Sequence, residues 1–293
     1  MSVLGVHLEW TYSRRGVGSV EGERFEQILV NTEAGIATAT LNRPDRHNAL
    51  GAHMVDELGK ALDVLEGSGD VRDMVLTGAG VKAFCSGVDL KERAEMDPDQ
   101  RWAHNRALGA FAERLARLQV PTIAALNGLA FGGGLEITLA CDFRIAAEGA
   151  RFALPEVGIG IVPGATQRLP RLIGPTKAKD LILTGRRVDA DAALEMGLVS
   201  QVVPSGSLME EAPTLAREIT ANSPLALSYA KAAINLTSET TIEQGLRYET
   251  AAIRTTLSSE DYKIGLTAFA ERRTPRFPPL TARRVTFSRL QRR

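Results

Sequence analysis

Residues Pro121 to Glu136 read PTIAALNGLAFGGGLE: a short apolar run, three consecutive glycines and a carboxylate two residues beyond them. Ile123 to Leu126, behind Pro121, has the length and apolarity of a buried strand. Gly132, Gly133 and Gly134 free the backbone for a tight turn with exposed N–H groups. Leu135 to Cys141 carries no breaker and predicts a short buried helix. The first-turn amides of such a helix lack intrahelical acceptors and lie at the positive end of its dipole, where they can hold charge developing on a carbonyl oxygen. Glu136 is electrostatically favoured in that turn. A close-packing turn followed by a dipole-matched acid would look the same, so the stretch takes its meaning from what surrounds it.

Upstream, Val71 to Thr77 is another apolar strand, followed by GAGVKAFCSGVDLKE, a glycine-punctuated loop of the kind that binds ligands in α/β proteins. Phe25 to Leu41 alternates as a hairpin turning near Gly35. Asn48 to Glu66 places Met54, Leu58, Ala61 and Leu65 on one helical face and stops at Gly67. Asp97-Pro98 with Gln100 is a capping pattern, opening a helix striped by Leu108, Phe111, Leu115 and Leu118. Asp89 and Asp142 read as turn or capping residues.

Downstream, Asp142 to Ala147 and Arg151 to Leu154 read as strands. VGIGIVPGATQRLPRLIG has no helical period before Thr166, which puts Glu156 on a loop or strand end. Lys177 to Thr184 and Ala190 to Met196 are short helices, and Val199 to Val203 is a last strand. From Ser207 the pattern is helical: a segment to Asn222, one opened by Ser223-Pro224, one carrying Ile242, Leu246, Ile253 and Leu257, and one capped by Ser258 with Asp261 and running through Phe269. The expected organisation is a flexible extension over 1–24, a β-rich core over 25–206, a helical region over 207–277 and an Arg-rich tail over 278–293.

The 293 residues can bury a full core, and equal numbers of basic and acidic residues, 35 of each, argue against general attraction to nucleic acid or anionic membrane. Cys85 and Cys141 cannot build a disulfide framework. No Cys/His spacing suits a metal, and none is assigned. No apolar run reaches the roughly 18–20 residues of a membrane span, and no secretion signal opens the chain, so a cytoplasmic protein is expected, with an organelle matrix as the weaker option.

LNRPDRHNAL, KAFCSGVDLKE, ALNGLAFGGGLEITLACDFRIAA, FALPEVGIGIVPG, TQRLPRLIG and GLTAFAERRTPRF, in that order over about residues 25–277, resemble the crotonase (enoyl-CoA hydratase/isomerase) superfamily. The resemblance implies an α/β fold, a spiral of ββα units with two near-perpendicular sheets and a C-terminal helical region used for trimerisation. It implies an acyl-CoA thioester substrate, a homo-trimer or hexamer, and no cofactor beyond the coenzyme A of the substrate. By motif, the oxyanion hole falls on the backbone N–H groups of Val88 and Gly133. Two glutamates mark hydratases, and here they are Glu136, positioning and deprotonating water, and Glu156, protonating C2. Gly164 N–H is a further water or substrate contact. Arg46 and His47 fall at the adenine and phosphate end of CoA, Cys85 and Gly87 beside the oxyanion loop, and Arg272 at a position reaching CoA from another subunit. Phe131 and Ile161 are expected to shape the acyl pocket. One departure is a loop, Pro163-Gly164-Ala165-Thr166, two residues shorter than the family's usual form.

Adding water across a conjugated enoyl thioester needs an oriented water at C3 and a proton for C2, which two facing carboxyl groups supply. If one glutamate were structural, an isomerase moving a single proton would be the alternative. From another class, the basic tail admits a non-catalytic RNA-binding or scaffold protein, disfavoured by neutral net charge and a tail without interleaved aromatics.

Overall fold

The computed structural model describes residues 19–20 and 23–280. β1 (Ser19–Val20) and β2 (Glu23–Arg24) form a small antiparallel ladder, so the end of the expected flexible extension is paired. The rest of that extension, and the Arg-rich tail beyond residue 280, lie outside the described residues. β3 (Ile28–Glu33) and β4 (Ile36–Leu41) make the expected hairpin, turning through Ala34 and Gly35 at positive φ. α1 (Ala52–Gly67) follows, with Met54, Leu58, Ala61 and Leu65 buried as its spacing requires.

From there the chain winds in repeated turns. β5 (Asp73–Gly78) joins a large sheet and β6 (Ala83–Cys85) a small one, and α2 (Leu90–Glu95) and α3 (Pro98–Arg117) return the chain. β7 (Thr122–Leu126) then adds to the large sheet and β8 (Leu129–Phe131) to the small one, followed by α4 (Gly133–Thr138). β9 (Phe143–Ala147) and β10 (Arg151–Ala153) repeat the step, followed by a 3-10 helix at Glu156–Ile159, α5 (Arg168–Ile173) and α6 (Pro175–Thr184). β11 (Val188–Asp189), α7 (Ala190–Glu195) and β12 (Gln201–Val203) close the spiral. The large sheet runs β12-β9-β7-β5-β4-β3 and the small one β11-β10-β8-β6.

β6, β8 and β10 are parallel, with Ala83 opposite Leu129 and Leu129 opposite Arg151. Their carboxyl ends therefore lie side by side, where open parallel sheets place ligands. The segments leaving those ends begin at Ser86, Gly132 and Leu154, which brings three distant glycine- and proline-marked loops to one edge.

β5 is buried at all six positions, because it is covered on both faces and so reads as a continuous apolar run. One core cluster fills the space between the sheets and helices. A second lies on the far face of the large sheet, where Val75, Ile123 and Ile145 pack against Leu208, Ala212 and Ala216 of α8 (Leu208–Thr220). α9 (Pro224–Leu236), α10 (Ile242–Leu257) and α11 (Glu260–Ala270) follow, each opened by a hydroxyl cap: Ser223, Thr241 and Ser259.

Several expectations are corrected here. β6, β8 and β11 were not expected, because two- and three-residue strands are too short to show a period and glycines lie near them. α4 starts two residues earlier than Leu135: its first turn uses Gly133 and Gly134, poor helix formers required by close packing, since a Cβ at 134 would run into the Cys85 carbonyl. Glu156 opens a 3-10 turn rather than ending a strand. The last helix is capped by Ser259, accepting from Tyr262 N–H, and not by Ser258.

Candidate active site

The loop after β6 is fixed by buried polar bonds. Asn48, fully buried at φ 55°, donates to the carbonyls of Ala79 and Ala83 and accepts from Arg43 N–H. Leu50 N–H donates to Gly87 O at 2.8 Å and Asp89 N–H to Leu50 O at 3.1 Å, which leaves the Val88 N–H between them unused. Gly133 N–H opens α4 and has no intrahelical acceptor. Among the described residues, neither N–H meets a protein acceptor. The two loops touch: a Cβ on Gly87, at φ 96°, would lie 2.9 Å from Phe131 O and 3.5 Å from Gly133 N. Two free amide donors on adjacent turns form a cradle for an oxyanion.

The carboxyl groups flank this cradle. A Cβ on Gly132, at φ 50°, would lie 2.7 Å from Glu156 Oε1, so both conformation and space demand glycine there. Both Glu156 oxygens are buried and accept no hydrogen bond from another described residue. Burial pushes the Glu156 carboxyl up to about 7, against its own backbone N–H and assisted by negative charge on Glu136. Glu136 accepts from Gly164 N–H. Burial raises its proton affinity too, but the Gly164 N–H and the guanidinium groups of Arg93 and Arg168 oppose that. Both carboxyl groups are thus raised above the ordinary carboxylate range by burial, Glu156 to about 7, but their surroundings differ: on Glu136 a hydrogen-bond donor and two cations oppose the rise without reversing it, and Glu156 has no donor from another described residue. Such a difference is what assigns acid and base roles to paired carboxyl groups.

Residues 31–279 match the family model described as enoyl-CoA hydratase/isomerase. The chain belongs to this family. It is 41% identical over 251 residues to the short-chain-enoyl-CoA hydratase of Clostridium acetobutylicum, covering 85% of this chain and 96% of that one. It is 39% identical over 283 residues to the mitochondrial methylglutaconyl-CoA hydratase of Mus musculus, covering 91% and 88%. The crystal structure of an enoyl-CoA hydratase from Bacillus anthracis superposes with a TM-score of 0.84 at 43% identity, over 86% of this chain and 99% of that one. Two sheets carried on a mixed α/β spiral are the crotonase-like fold expected from the motifs.

In this enoyl-CoA hydratase/isomerase family member, the structure gathers Val88, Gly133, Glu136, Glu156, Gly87 and Gly164 at one edge. Cys85, expected among the substrate contacts, turns its side chain inward. Its side chain is fully buried, receives the Gly87 N–H at 3.4 Å, and has its thiol pushed up to about 12 by burial, so the thiol helps hold the loop. Gly164 is corrected in part: its N–H is given to Glu136 rather than left for water or substrate. Arg46 ends a 3-10 turn at Pro44–Arg46, and His47 closes it in the left-handed conformation while accepting Ser86 N–H on its carbonyl. Arg272 follows α11 and is exposed. Phe131 is half-buried, with the Arg187 guanidinium 5.2 Å over its ring.

The sequence did not single out Asn48, Arg93, His104, Arg144 or Arg168. Arg144 is buried and donates to the carbonyls of Leu198, Thr138 and Cys141, which fixes the end of α4. Only an arginine inside an apolar strand, FRIAA, could have flagged it.

Proposed function

We propose that the protein is an enoyl-CoA hydratase, adding water reversibly across a trans-2-enoyl-CoA through a thioester enolate. The observation that carries this reading is the unequal carboxyl pair beside two free amide donors. The thioester oxygen accepts from Val88 and Gly133 N–H. Glu136 orients water and takes its proton as oxygen bonds to C3, while Glu156 delivers a proton to C2. An isomerase needs only one such carboxyl, and the presence of both beside the amide donors favours hydration. The names of the relatives, short-chain-enoyl-CoA and methylglutaconyl-CoA hydratase, agree with this class.

On the same reading, Arg46 and His47 meet the adenine and phosphate end of CoA, and Arg272 reaches a neighbour's CoA. The chemistry described calls on no metal or redox group. A homo-trimer or a dimer of trimers is the assembly, supported by apolar side chains left open on the last helices: Ile242 of α10 is 83% exposed and Phe269 of α11 is 85% exposed. Among the described residues no helix is long and apolar enough to cross a membrane, and a cytoplasmic site of action is the proposal.

The test follows loss of the conjugated thioester absorbance with crotonyl-CoA. Wild type should consume it rapidly, and Glu136→Gln and Glu156→Gln should each lower kcat by about a hundredfold or more. Full activity in either variant would remove the two-carboxyl mechanism.

A further inference from the structure

We propose that the acyl pocket of this enzyme recognises a carboxylate at the far end of the enoyl chain, and that Arg93 is the residue that binds it. This rests on the hydratase reading above and narrows its substrate class to enoyl-CoA thioesters bearing a second, free carboxylate.

Arg93 belongs to α2, the helix that starts directly after the oxyanion residue Val88. The helix is held in place by Asp89, which caps it through Lys91 and Glu92 N–H and pairs with Arg43 at 3.1 Å. Arg93 is therefore one turn beyond the oxyanion loop on a fixed element. Arg93 is half-buried, and among the described residues its guanidinium reaches α3 only through two contacts at the long limit of a hydrogen bond, Arg101 O at 3.5 Å and Asn105 Oδ1 at 3.4 Å. No carboxylate of the described residues lies within ion-pair distance of it. Arg168, the other cation near Glu136, is already paired with Glu113 at 2.9 Å. So the charge beside the catalytic carboxyl that stays available is that of Arg93.

α3 forms the wall between Arg93 and the oxyanion turn. Leu108 lies against Gly133, 3.1 Å from where a Cβ would stand. One turn earlier is His104, 6% exposed, with neither ring nitrogen hydrogen-bonded in the described structure. An acyl chain whose thioester oxygen occupies the Val88 and Gly133 amides presents C3 to Glu136 and extends from there along this wall. A hydrocarbon tail would strip water from an unpaired guanidinium and an unpartnered imidazole without replacing it, which is unfavourable. A carboxylate would pair with the guanidinium through charge-assisted bonds, and without such a cation it would be repelled by Glu136.

Glutaconyl-CoA is crotonyl-CoA with a carboxyl group added to C4, and trans-2-hexenoyl-CoA has similar reach without charge. The experiment compares kcat/KM for these three substrates in wild type, Arg93→Gln and Arg93→Lys. Wild type should prefer glutaconyl-CoA over both others. Arg93→Gln should lower the glutaconyl-to-crotonyl ratio about 10- to 100-fold, the worth of a charge-assisted hydrogen bond, mostly through KM, and Arg93→Lys should restore part of it. Any loss shared by all substrates reports the influence of Arg93 on Glu136 and cancels in the ratio. An unchanged ratio in Arg93→Gln, or a wild type that hydrates crotonyl-CoA and rejects glutaconyl-CoA, overturns this inference alone. No hydration of any of the three overturns the hydratase reading with it.

Discussion

Glu156 carries the sharpest consequence at the scale of single residues. Its carboxyl is held at about 7, against an ordinary value of 4.5, chiefly by burial. In the proposed role of proton donor to C2 it must be protonated, so kcat/KM for hydration should fall as pH rises through about 7, and that limb should vanish from the residual activity of Glu156→Gln. The same shift acts on stability. A folded-state pKa above the unfolded one leaves stability intact below about 4.5 and lowers it as pH rises through 7. Glu156→Gln should therefore gain melting temperature over wild type at pH 8.5, by about 2–4 °C for roughly 1 kcal/mol after allowing for solvent screening, and gain little at pH 4.5. Equal shifts at both pH values would contradict the assignment. The two glutamates as candidates were legible in GGGLE and LPE. Their inequality was not, because it comes from Gly164, Arg93, Arg168 and burial, all supplied by other parts of the chain.

At the scale of elements, the site depends on a six-residue helix that local propensity alone would not choose. α4 begins with two glycines, which make it a poor helix by composition, and it persists because both of its ends are held. Its start is wedged against β6, where a Cβ at 134 would meet Cys85 O. Its end is bonded by Arg144, whose Nη1 lies 3.1 Å from Thr138 O and 2.7 Å from Cys141 O, with Nε 2.8 Å from Leu198 O. Arg144→Met leaves these buried carbonyls without donors, and the expected loss is about 2–4 kcal/mol, read as a lower urea midpoint at unchanged slope. Since α4 also presents Gly133 N–H, kcat should fall alongside. A midpoint displaced by less than about 0.5 kcal/mol would show that water serves those carbonyls equally well. Caps were the most legible feature at this scale: Asp97 with Gln100 forms the capping box its spacing implies. Three-residue strands were the least, since a period cannot show itself in three residues.

For the molecule as a whole, the helical end remains incompletely covered. Ile234 of α9, Ile242 and Leu246 of α10 and Phe269 of α11 stay exposed in the single chain. If these surfaces meet other copies, sedimentation of the full chain should give a trimer or hexamer, and Ile242→Glu combined with Phe269→Glu should shift it toward smaller species, with loss of activity if Arg272 serves a neighbour's CoA. A monomer at micromolar concentration in wild type would overturn the assembly. What the sequence determined by itself was the set of local choices: the hairpin, the amphipathic faces of α1 and α3, the caps, and the residue types able to make an oxyanion hole and a carboxyl pair. These follow from interactions between residues a few positions apart, or from chemistry that only certain side chains possess. The tertiary structure alone decided that loops leaving β6, β8 and β10 share one edge, that Gly164 N–H serves Glu136, that Cys85 faces inward and that Arg93 has no ion pair among the described residues. Those facts depend on the register of parallel strands more than forty residues apart, in the case of β6 and β8, and on how far helices shield charges from water, neither of which is written in any short stretch of chain.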